Sequence, residues 1–122
     1  MSIDLEALLA PYGIDYDDAL DRFGGNAALY KRLALKYPAD THYAGLVAAL
    51  EAGDYEEAYT QAHSLKGVAG NLSLVALYHA AAHVSNALRE GEVELARTQM
   101  SEVAAAHERA LRGLEELGAN AG

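Results

Sequence analysis

The chain has 122 residues, a net charge of −9 at pH 7 and no cysteine. That length suits one compact domain with a real core. The negative balance argues against non-specific binding to nucleic acid or an anionic membrane, since both need a positive field. Without thiols there is no disulfide framework and no thiolate metal site. The start, Met1-Ser2-Ile3-Asp4, lacks the basic residues and apolar run of a signal peptide, and no apolar stretch is long enough to span a bilayer. A cytoplasmic location is expected. Alanine, leucine and glutamate dominate, β-branched residues are few, and only Pro11 and Pro38 interrupt helices, so the chain reads as all-α.

In chain order, Leu5 to Ala10 reads as a short helix stopped by Pro11-Tyr12-Gly13. Asp17 to Phe23 makes a second, ended by Gly24-Gly25. Asn26 can cap a helix running to Tyr37, where Pro38 follows. Thr41 starts a helix ending near Ala52, with Gly53 as its C-terminal stop. Asp54 caps the next, with Glu57 placed as in a capping box, and this helix runs to about Leu72. Ser73 can cap a helix ending at Glu90-Gly91, and the last runs from Glu92 to about Leu117. The whole is expected to be a single domain, 1–122, with an ordered core of about 5–117 and a tail, 118–122, that frays.

The long helices carry one apolar seam each: Tyr55, Ala58, Ala62, Leu65, Ala69 and Leu72 on one; Leu74, Leu77, Ala81, Val84 and Leu88 on the next. On the last the seam runs Val93, Ala96, Met100, Val103, Ala110, Leu114 and Leu117, with His107 in its gap. Single seams and short connections at Gly53-Asp54 and Gly91 predict an antiparallel four-helix bundle closed at one end by the short N-terminal helices.

His63 opens the run His63-Ser64-Leu65-Lys66-Gly67. At about 100° per residue it falls roughly 130° from its seam's centre and faces water. Lys66 lies nearer the flank, and Gly67 almost opposite the seam. An interior helix glycine costs roughly 1 kcal/mol relative to alanine. Internal packing does not explain one that faces solvent, so an external body must come close beside His63. Gly70 either eases helix packing or helps to end the helix. A neutral imidazole is a good nucleophile near pH 7, and phosphoryl transfer needs mainly positioning and positive charge. Lys66 can supply that charge. No nucleotide motif or phosphate loop is present, so the chain could receive and donate phosphoryl groups but not make them.

The segment from Ala62 through Leu72, with His63, Lys66, Gly67 and Gly70, closely resembles the core motif of histidine-containing phosphotransfer (HPt) domains of bacterial phosphorelays. Gly13-Ile14-Asp15, Ala19-Leu20, Arg22-Phe23-Gly24-Gly25, Leu29-Tyr30 and Leu46 through Asp54 resemble the family's other segments, so the likeness covers about Leu5 to Leu117. It implies a four-helix bundle in which His63 is the phospho-acceptor, Lys66 assists the phosphate and Gly67 gives access. The implied partners are response-regulator receiver domains, with or without a hybrid sensor histidine kinase. A monomer is implied, with no cofactor of its own; magnesium belongs to the receiver. Val68, Leu74 and Val75 are candidate docking residues. One departure is Ser73, where the family commonly has glycine; it should affect the turn between helices more than the chemistry.

Two other readings stand beside this one. The bundle could be a non-catalytic adaptor that binds a receiver through the same face, or His79 and His83, spaced i, i+4, could hold a metal, although no third ligand is evident. A solvated pair, or one packed beside the His63 helix, is the plainer account. His107 is expected to be a partly buried core histidine, and Tyr59, one turn before His63 on the flank, either a half-buried residue or part of a partner surface.

Overall fold

Four helix starts are set by short side chains. Asp4, Asp15, Asn26 and Asp54 each accept a hydrogen bond from the backbone N–H three residues on, at 3.0 to 3.2 Å. Each satisfies a donor that the first helical turn leaves unpaired. In the computed structural model, which describes residues 3–120, these caps open α1 (Leu5–Leu9), α2 (Tyr16–Arg22), α3 (Ala27–Ala34) and α5 (Tyr55–Asn71). The remaining helices are α4 (His42–Ala52), α6 (Val75–Arg89) and α7 (Val93–Asn120), and the described residues contain no strand.

The core is built by α4 to α7. Each packs along the next in the chain, and connections of two or three residues make neighbours antiparallel. The last helix returns to the first of the four: the His107 ring stacks on Tyr43 at 4.1 Å, and Arg97 donates to the Leu50 carbonyl at 3.2 Å. The fold is thus an all-α bundle, with α1 to α3 packed at one end. The seam residues Ala58, Ala62, Leu65 and Ala69 of α5 meet Leu77, Ala81 and Val84 of α6 and Val103, Ala110 and Leu114 of α7 in one buried cluster.

Several local expectations change. Asn26 opens a helix that ends at Ala34 rather than Tyr37, because Pro38 forces a separate 3-10 turn over Tyr37–Ala39. Tyr55 is not in the seam. As the first residue of α5 it is 39 % exposed, and its hydroxyl accepts from Arg97 at 2.9 Å. Only half of the capping box forms: Asp54 N–H bonds the Ala49 carbonyl, and the Glu57 carboxylate accepts instead from Gln61. The final helix continues past Leu117 to Asn120; Ala121 and Gly122 lie outside the described residues.

The turn between α5 and α6 departs most. Ser73 does not cap α6. Its backbone is left-handed, φ 56°, and its hydroxyl donates to Asp18 of α2 at 2.8 Å, while Leu74 takes the cap position without a side-chain bond. A glycine would sit at this position without strain, whereas a side chain at positive φ is strained. Neighbouring bonds tie the turn down: Asp15 N–H to the Ser73 carbonyl, Ala76 N–H to the Gly13 carbonyl, and the buried Tyr30 hydroxyl to the Leu72 carbonyl at 2.7 Å.

Candidate functional site

His63 stands in the middle of α5 between the buried residues Ala62 and Leu65, and its side chain is exposed. Helical geometry alone carries it there: its neighbours claim the seam, and a position one step off the seam must face outward. Its ring makes no hydrogen bond or ion pair among the described residues. Its one aromatic neighbour among the described residues is Tyr59, one turn earlier, with ring centroids 5.8 Å apart and planes 23° from parallel. Tyr59 is itself half-buried and packs on the core, so it supports one side of the imidazole.

Gly67, one turn after His63, is exposed, and a Cβ placed on it would meet nothing within 4 Å. No packing partner accounts for the missing side chain. Gly70 is different. A Cβ there would lie 3.1 Å from the Tyr78 ring, so this glycine lets α6 approach the α5 backbone. Lys66 is half-buried and enters no ion pair or side-chain hydrogen bond among the described residues. Its ammonium is therefore not neutralised by a neighbour.

Lys66 and Gly67 border a groove of about 410 Å³ that continues past Asn71. Its other wall comes from α2 and α6: Asp18, Arg22, Val75, Tyr78 and His79. Asp18 Oδ2 accepts from Arg22 Nε at 2.8 Å and from the Ser73 hydroxyl. The Arg22 bond, then the Ser73 bond, hold the Asp18 carboxyl below its ordinary range. Arg22 is correspondingly raised, chiefly by its bond to Asp18.

The structure therefore brings His63, Lys66 and Gly67 onto one outward stretch of α5 and adds residues that the sequence reading did not single out. Asp18 and Arg22 are legible as an i, i+4 pair, but nothing in the chain says that α2 lies against the α5–α6 turn. His79 joins the groove beside Lys66, whereas His83 points to Glu102 at 3.3 Å. No group of three or more metal-ligating side chains stands together among the described residues. Leu74 is not a docking residue: it is 0 % exposed, because the Ser73 turn swings it into the core. Val68 and Val75 remain half-buried at the surface. His107 is partly buried, with Nδ1 2.7 Å from the Tyr37 hydroxyl. Burial lowers its pKa. His42 pairs with Asp40 at 3.0 Å.

No described helix is long and apolar enough to cross a membrane. Comparison with curated proteins and with solved structures finds no match. A family model, that of the Hpt domain, matches residues 38–116. This span holds α4, α5, α6 and all of α7 but its last four residues, and it exceeds half of the chain, so the protein belongs to the Hpt domain family and has a phosphotransfer role in two-component signalling.

Proposed function

We propose that His63 is the phosphoryl carrier. It accepts the group from a receiver-domain aspartate, or from a kinase, and passes it to a response-regulator aspartate. The reading rests above all on an exposed imidazole with no competing hydrogen bond among the described residues, beside a helix face that Gly67 leaves open. A neutral ring nitrogen attacks the phosphorus of the aspartyl phosphate in line. The P–N bond forms as the P–O bond breaks, and the electron pair of that bond leaves with the aspartate carboxylate. The ring carries the compensating positive charge. Lys66, whose ammonium has no partner among the described residues, stabilises the equatorial oxygens in transfer. Val68 and Val75 supply apolar contact at the rim of a modest, transient interface. The chain is read as one such domain, 1–122, acting as a cytoplasmic monomer between a receiver domain and a hybrid sensor kinase or second receiver.

Incubation with a phosphorylated receiver, followed by mass spectrometry, should find an acid-labile adduct on His63. His63→Gln should abolish uptake while leaving receiver binding intact. Transfer that survives this substitution removes His63 from the role. Binding without any transfer by the wild-type chain leaves the adaptor reading in its place.

A further inference from the structure

The Ser73–Asp18–Arg22 chain is the feature that the transfer chemistry does not use. Ser73 sits at φ 56°, where glycine would be relaxed and a side chain is strained. The hydroxyl that comes with this strain reaches Asp18 Oδ2 at 2.8 Å. The same oxygen takes the Nε of Arg22, also at 2.8 Å. Only Nε of the guanidinium is engaged. Its two terminal nitrogens have no partner among the described residues, and the side chain is 50 % exposed. Arg22 is thus held at its base and free at its tip.

Arg22 lines the groove that Lys66 and Gly67 border. The chain carries nine Lys and Arg residues against eighteen Asp and Glu, yet two of the nine line this one groove, together with His79. With Asp18 included and His79 neutral, the groove still keeps a net positive charge. At 1.5 Å per residue it begins about 5 Å beyond His63 along α5 and extends to about 12 Å. A receiver whose aspartate reaches His63 must lie over it.

We propose that Arg22, positioned by Asp18 and Ser73, is a specificity-determining residue that receives an anionic side chain of the receiver domain in this groove. The inference rests on the phosphotransfer reading above. Charge complementarity selects the occupant: a carboxylate gains two fixed N–H donors from the guanidinium tip, and a cationic or apolar side chain gains neither. Asp18 and Ser73 act through Arg22 by limiting its rotamers, so that less side-chain entropy is lost on docking.

The test is single-turnover phosphotransfer by rapid quench, from an excess of receiver domain charged with acetyl phosphate, over a range of receiver and salt concentrations; the half-saturating receiver concentration is taken as KM and the maximal rate constant as kcat, with folding followed by circular dichroism. Arg22→Ala should raise KM about five- to tenfold with kcat within about twofold, and should flatten the salt dependence of KM. Arg22→Lys should recover part of the loss. Ser73→Ala, which keeps the cation but loosens it, should raise KM about two- to threefold and retain the salt dependence. An unchanged KM in folded Arg22→Ala overturns the proposal, as does a fall in kcat alone, which would put Arg22 on the reacting phosphoryl group. If Arg22→Ala does not fold, an unchanged KM in both Arg22→Lys and Ser73→Ala overturns it. Should wild-type His63 take up no phosphate, the transfer reading fails and this inference with it; KM results on a wild-type chain that is phosphorylated bear on Arg22 alone.

Discussion

Replacing Gly67 by alanine should make the protein more stable, and replacing it by a large side chain should make it a poorer phosphate carrier. Gly67 has ordinary helical backbone inside α5, and a Cβ there would touch nothing within 4 Å. The substitution therefore adds no clash and removes the conformational freedom that glycine keeps in the unfolded chain. The expected gain is about 0.5–1 kcal/mol. For a domain of this size that is a rise in melting temperature of about 2–4 °C. Gly67→Ala should leave transfer within a few-fold of wild type, because one methyl group leaves most of the face open. Gly67→Phe should keep the fold, since the ring projects into solvent, but should cut the rate of transfer from a phosphorylated receiver by an order of magnitude or more as it meets the approaching surface. Thermal melts and a transfer time course on the same three proteins check both halves. A lower melting temperature for Gly67→Ala would refute the packing argument. A wild-type transfer rate for folded Gly67→Phe would refute the claim that the open face exists for a partner.

Tyr30→Phe should destabilise the fold by about 1–2 kcal/mol, measured by urea unfolding, because it leaves the Leu72 carbonyl without the hydroxyl that meets it at 2.7 Å in the interior. His107 makes stability depend on pH. Burial lowers its folded pKa below the ordinary value of 6.5, so the unfolded chain binds the proton more readily. The contribution is complete above 6.5 and is lost as pH falls below it through the lowered folded value. Melting temperature should therefore drop between pH 7 and pH 5, and His107→Gln should flatten that part of the profile.

The seams, the side of α5 on which His63 emerges and the openness at Gly67 could be read from the sequence. All three are consequences of helical repeat, a local property that a string of residues carries by itself. The caps at Asn26 and Asp54 were equally local, each bonding an N–H three residues away. Some local expectations failed, at the Pro38 turn and at the start of α5, but the failures that matter to the site were positions decided by contacts between distant segments. Leu74 could serve the seam or the surface by its pattern, and the Ser73 turn settled it for the seam. Ser73 had the composition of a helix cap, but Asp18, 55 residues earlier in the chain, claims its hydroxyl. Gly70 was ambiguous until the Tyr78 ring was found against it.

By itself, then, the sequence determined an all-helical chain with one outward histidine beside a lysine and a bare glycine, since periodicity and capping act within a few residues. Only the tertiary structure decided what surrounds that face. Docking α2 against the α5–α6 turn brings Arg22 and Asp18 to the groove that Lys66 borders, and packing α6 along α5 brings His79. No local rule places these residues together, because their meeting depends on how whole helices bury their seams.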